Sequence, residues 1–197
     1  LEQFHATSAA TALATRLAAK IKTATPALSM LSVRGMMVHS AKWTPEMIRI
    51  GNIKDIIPLC GYGVPDEETA LFSNEKYATF IFENELIPYW EKDGSNTYNQ
   101  LHFYDLPWPT EVLEQMGEEN VKIRITLSYY VKPSPGYAGR SNKYRYPSAT
   151  LHFDLKSASE SMEEFLCRRN KSEGEKRTDN DTNRWTIKQQ RREQGTV

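Results

Sequence analysis

His5-Ala6-Thr7-Ser8-Ala9-Ala10-Thr11-Ala12 runs directly into Leu13-Ala14-Thr15-Arg16-Leu17-Ala18-Ala19-Lys20-Ile21, and the reading of this stretch decides the fold of the first part of the chain. Apolar side chains at Ala10, Leu13, Ala14, Leu17, Ala18 and Ile21 recur at helical spacing and predict one amphipathic helix. Its alanines make it slim, so it can be packed on several sides. Arg16, Lys20 and Lys22 lie toward its C-terminal half, where cations complement the helix dipole, and Thr25-Pro26 ends it. Ser8 stands at the start of this helix among small residues. The first backbone N–H groups of a helix have no intrahelical acceptor and face any anion formed there. Such a serine is either an exposed nucleophile or a simple helix cap.

Thr7-Ser8-Ala9-Ala10-Thr11 resembles the nucleophile motif of the subtilisin-like serine peptidases (subtilases), written G-T-S-x-A-x-P. The resemblance implies that Ser8 attacks the scissile carbonyl and that its own N–H helps form the oxyanion hole. Ala6 replaces the usual Gly and Ala12 the usual Pro. The first exchange matters if the backbone needs φ > 0 or very close substrate approach; the second only loses a preset φ.

Downstream, Leu31, Met36, Met37 and Val38 give a broad apolar face to a second helix expected from Ser29 or Ser32 to Ala41. Val33-Arg34-Gly35-Met36-Met37-Val38-His39-Ser40-Ala41 is similar to the helix that follows the nucleophile helix in subtilases. Gly61-Tyr62-Gly63-Val64-Pro65-Asp66-Glu67-Glu68-Thr69-Ala70-Leu71 reads as a glycine-permitted turn into a short helix, with acids in its first turn. It is not a phosphate loop, having no G-x-G-x-x-G and no nearby Lys. It resembles the segment that closes subtilase catalytic domains. The three motifs occur in family order over residues 3–75.

His5, His39 and Asp66 each invite a catalytic reading. In subtilases the order is Asp, His, Ser, so a base downstream of Ser8 does not fit. His39 is read as a polar residue at a helix end, His5 as a capping or substrate-lining residue, and Asp66 as a helix-start charge. The acid, the His base and an oxyanion Asn implied by the resemblance are expected upstream of Leu1, and the chain is read as a fragment at both ends.

Beyond about residue 73 the period changes to two. Val121-Lys122-Ile123-Arg124-Ile125-Thr126-Leu127-Ser128-Tyr129 alternates apolar on odd positions and polar on even ones, and Ala149-Thr150-Leu151-His152-Phe153-Asp154-Leu155 repeats the pattern. Residues 77–82 and 100–106 are further candidate strands. Lys92-Asp93-Gly94-Ser95-Asn96 and Lys132-Pro133-Ser134-Pro135-Gly136 read as turns. This predicts an antiparallel sandwich. The resemblance extends loosely to the β-rich domain that some bacterial subtilases append, here through Gly139-Arg140-Ser141. The expected fold is therefore α/β, the C-terminal helices of a subtilisin-like parallel-sheet domain over residues 1–75, followed by a mostly antiparallel β-sandwich-like domain over 76–197.

The tyrosines and tryptophans of that second part (Tyr89, Trp90, Tyr98, Tyr104, Trp108, Tyr129, Tyr130, Tyr137, Tyr144, Tyr146) suit a core better than a sugar site. His102 and His152 are read as strand residues, with too few companions for a metal site. Residues 157–169 predict an amphipathic helix with Met162, Phe165 and Leu166 on one face. Residues 168–193 carry nine Lys or Arg against five Asp or Glu. Their mixed signs favour a solvated loop over a nucleic-acid arm. Trp185-Thr186-Ile187 reads as one more strand.

The whole chain has 197 residues, 39% hydrophobic and 11% aromatic, as a folded protein requires. Charges balance at 25 against 25, which gives no case for nucleic acid, and no apolar run reaches membrane-span length. Cys60 and Cys167 make neither a disulfide framework nor a metal site; two free thiols slightly favour a reducing, cytoplasmic setting. The expected activity is peptide-bond hydrolysis through Ser8, with a protein or peptide as partner and no cofactor. The alternatives are a catalytically dead subtilase-like interaction protein and a β-sandwich binding module.

Overall fold

The computed structural model describes residues 6–71, 77–87, 89–92, 95–98, 100, 102–106, 109–118, 121–130, 155–156 and 160–171. They carry seven helices and one two-stranded hairpin: α1 (Thr7–Ala24), α2 (Met30–Ser40), α3 (Pro45–Ile48), α4 (Ile53–Cys60), α5 (Glu67–Leu71), β1 (Tyr89–Lys92), β2 (Ser95–Tyr98), α6 (Thr110–Met116) and α7 (Met162–Lys171). The chain forms two compact units, residues 1–42 with 62–132, and residues 43–61 with 133–197.

In the first unit α1, α2 and α5 pack on one another. Their shared core is Leu17 and Ile21 of α1, Val33 of α2 and Ala70 of α5, with Met36, Met37 and Leu28 against it. Burying the Leu17, Ile21 and Val33 side chains stabilises by about 1.5–3 kcal/mol each. The predicted apolar face of α1 is used only in its C-terminal half: Leu13 is 63% exposed and Ala10 is exposed. Inside this helix the Thr11 and Thr15 hydroxyls donate to the carbonyl four residues back, Thr7 at 2.9 Å and Thr11 at 2.8 Å. At its end Lys22 donates to Pro26 O at 2.8 Å and Leu28 O at 2.5 Å.

The second helix lies where the sequence places it. Its N-cap is Ser29, whose side chain accepts from the Ser32 amide. The Gly61-Tyr62-Gly63 turn takes φ of 58° at Gly61 and 99° at Gly63, values that favour glycine. Val64 then forms an antiparallel bridge to Lys42.

In the second unit α3 packs on α4, and Trp43 Nε1 donates to Gly61 O at 3.0 Å. Ile56 is the buried residue of α4, which tolerates Pro58 in its last turns. α7 begins on a reciprocal cap: Ser161 N–H donates to Glu164 Oε2 at 2.8 Å, and Glu164 N–H to Ser161 Oγ at 3.2 Å. Phe165 is buried, under the guanidinium of Arg168. The predicted helix over 157–169 thus starts later, at Met162.

The expected fold class is overturned. No β-sandwich is seen among the described residues, nor any parallel sheet. The only ladder between named strands there is β1 with β2, in register Tyr89↔Tyr98 to Lys92↔Ser95. Residues 121–129, the clearest expected strand, form no ladder among the described residues. Alternation encodes an extended backbone with two unlike faces, not a neighbouring strand. Here the polar face is occupied by a helix. Residues 78–82 and 102–106 likewise carry no strand. The expected strands over 149–154 and 185–187, the Gly139-Arg140-Ser141 segment, and the charged run past residue 171 lie outside the described residues.

Candidate functional site

Ser8 is the second residue of α1 and is exposed. The helix opens at Ala6, whose carbonyl accepts from Ala9 at 3.1 Å and Ala10 at 3.3 Å. An alanine has no side-chain acceptor, so Ala6 itself supplies no side-chain cap. The amides of Thr7 and Ser8 have no acceptor among the described residues. A hydroxyl thus stands beside N–H groups without an acceptor among the described residues, at the positive end of an 18-residue helix, an arrangement able to stabilise a developing oxyanion. Ala6 has φ −147° and ψ 137°, extended backbone that any residue adopts. The exchange of Gly for Ala at this position therefore costs no backbone strain.

A second cluster surrounds α2. At its start Glu83 Oε1 accepts from the Ser29 amide at 2.9 Å. Hydrogen bonds from Ser29 and Ser32 hold the Glu83 carboxyl down to about 2. At its end Arg124 Nη1 donates to His39 O at 2.6 Å and to Ala41 O at 2.8 Å. Between them Ser128 Oγ donates to Leu31 O at 2.9 Å, and Arg34 donates to Ser128 Oγ at 3.2 Å and Tyr129 O at 3.0 Å. Residues 124–129 thus lie along α2 with Arg124, Thr126 and Ser128 toward it. Their odd-numbered neighbours Ile123 and Leu127 are exposed. Glu83 and Arg124 complement the dipole at opposite ends of one helix.

His39 belongs to this cluster, not to Ser8. Its Nδ1 lies 3.0 Å from Thr126 Oγ1. Burial, then the charge of Arg124, lowers its pKa. Asp66 stands at the start of α5, as a helix-start charge should. Its Oδ2 accepts from Lys42 Nζ at 2.5 Å and from the Thr69 hydroxyl. These bonds, Lys42 foremost, lower its pKa. Glu67, on the same helix, pairs with Lys20. His5 and His152 lie outside the described residues. His102 keeps a buried Nδ1 with no hydrogen-bond partner and meets Tyr104 edge-on. Among the described residues no group of three or more His, Cys, Asp or Glu is placed to hold a metal ion. None of their helices is long and apolar enough to cross a membrane. Cys60 and Cys167 are free.

The sequence reading missed Glu83, Arg124, Thr126 and Ser128 as a set. The alternation of 121–129 flagged the last three as one polar row, but nothing local named α2 as its partner.

Residues 1–81 match the family model of the Subtilase family. The match supports a serine peptidase of the subtilisin kind and spans the Ser8 helix, α2 and the turn into α5. No curated protein matches the chain, and no solved structure does.

Proposed function

We propose that this chain carries the nucleophile end of a subtilisin-like serine endopeptidase, with Ser8 as the nucleophile. Residues 1–75 form the C-terminal part of the catalytic domain. Ser8 Oγ attacks the scissile carbonyl to give an acyl-enzyme, and the Ser8 N–H contributes to oxyanion stabilisation. The acid, the His base and the oxyanion Asn are assigned to residues preceding Ser8, in the family's order, and none to residues 1–197. A serine hydroxyl without a base is a poor nucleophile, so residues 1–197 by themselves are expected to be inactive. The substrate is a protein or peptide.

The carrying observation is the coincidence of the Subtilase match with an exposed serine in the first turn of α1, beside amides that have no acceptor among the described residues. The exposed Leu13 and Ala10 fit a helix covered by more of such a domain. The test is labelling by a serine-reactive fluorophosphonate of the protein expressed with its upstream reading frame. Label on Ser8, lost in Ser8→Ala, supports the reading. A folded protein that takes no label at Ser8 is the catalytically dead relative. The extended φ of Ala6 means that the exchange of Gly for Ala brings no backbone strain, which is compatible with the catalytic reading.

A further inference from the structure

Residues beyond the Subtilase match hold the helix that packs against the Ser8 helix. The match ends at residue 81. Glu83 follows it by two residues and caps the start of α2 through the Ser29 amide. Arg124 caps the other end through His39 O and Ala41 O. Thr126 and Ser128 bind between them, at His39 and Leu31. The approach is close: a Cβ placed on Gly35 of α2 would lie 3.3 Å from Ser128 Cβ. α2 in turn shares its core with α1, Val33 packing with Leu17 and Ile21.

We propose that Glu83 and the 124–129 segment are a brace on α2, and that Glu83 and Arg124 act as positioning residues for the helix that presents Ser8. This rests on the catalytic reading of Ser8. The last carbonyls and first amides of a helix are its loosest groups. A carboxylate at one end and a guanidinium at the other suppress fraying at both. With α2 held along its length, the α1–α2 contact has one arrangement, and Ser8 has one position relative to the base that must reach it.

The test is hydrogen exchange of the 197-residue chain. Arg124→Ala and Glu83→Ala are expected to speed exchange of the hydrogen-bonded amides of α2 and α1 by roughly tenfold, the scale of losing a bond to a charged group. Arg124→Lys should restore much of the protection, because one ammonium still reaches a carbonyl. Lys122→Ala, on the same polar row but with no bond to α2 among the described residues, should match the unmodified chain. Should Arg124→Ala fail to fold, Thr126→Val removes only the hydroxyl that meets His39 and serves instead. Unchanged exchange at both ends of α2 would overturn the brace. Faster exchange in α2 with α1 unaffected would overturn the positioning of Ser8, as would an equal effect from Lys122→Ala. In the protein with its upstream frame, Arg124→Ala should slow fluorophosphonate labelling of Ser8, and Arg124→Lys should recover it. If the unmodified protein takes no label, the catalytic reading falls, and the exchange data still decide the brace.

Discussion

The imidazole of His39 and the hydroxyl of Thr126 meet at 3.0 Å, although 87 residues separate them in the chain. That contact, with the Arg124 guanidinium on the neighbouring carbonyls, ties a residue that invites reading as a catalytic base to a structural task.

Acidification should therefore loosen the α2 contact. His39 has an ordinary value of 6.5, lowered in the folded chain by burial and by Arg124. Between the two values the unfolded chain binds the extra proton. The His39 contribution is then fully present above about 6.5 and is lost as pH falls toward the folded value. Urea midpoints from pH 8 to pH 5 should show this loss, and His39→Gln should abolish it. An identical pH slope in His39→Gln would contradict the assignment.

Gly35→Ala distinguishes helix propensity from the close approach of residue 128. Alanine in place of glycine in a helix interior gains roughly 1 kcal/mol. The new Cβ would sit 3.3 Å from Ser128 Cβ, and Ser128 is held by Leu31 O and Arg34. The single variant is expected to be no more stable than the parent. In a Ser128→Gly background the gain should appear. Chemical denaturation of the four proteins in this cycle reads the coupling.

At the start of α5, Asp66→Ala should cost about 1 kcal/mol, the scale of a lost N-cap. Lys42→Ala should cost less than about 0.5 kcal/mol, because the Lys42 side chain is 61% exposed. The Asp66 share is present above its ordinary carboxylate value and disappears as pH falls through the lowered one. Equal losses in the two variants would show that the ion pair, not the cap, matters.

Ser161→Ala breaks the reciprocal cap of α7 and should destabilise the second unit by about 1 kcal/mol. Arg168→Ala removes both a paired contact to Glu160, at 2.8 and 3.1 Å, and the cation over Phe165. Its loss should exceed that of Ser161→Ala, because the Glu160 side chain is only 15% exposed and is left without its guanidinium partner. Helix content by circular dichroism against urea checks both.

Local chemistry made much of the first 71 residues legible. The 3.6 period of Leu17, Ala18 and Ile21 predicts α1, Ser29 and Ser32 offer the two starts for α2 of which the structure takes Ser29, and Gly61 and Gly63 mark a turn that takes positive φ. α3 and α4 were not foreseen, being too short for periodicity to register. The Ser161-x-x-Glu164 cap was present in the sequence and went unread. The candidate site was legible only as Ser8 in its motif, because a serine at a helix start is a local feature.

The sequence by itself determined α1, α2 and the turn into α5, whose signals are local, and the two unlike faces of residues 121–129. Only the tertiary structure decided what that segment meets. Alternation of Ile123, Ile125 and Leu127 with Arg124, Thr126 and Ser128 is equally suited to a sheet and to a helix surface. The ends of α2 offered unpaired carbonyls and amides, and polar side chains with donors and acceptors took them. Which backbone groups are left open depends on where another element ends, and that information is not carried by the segment that binds there.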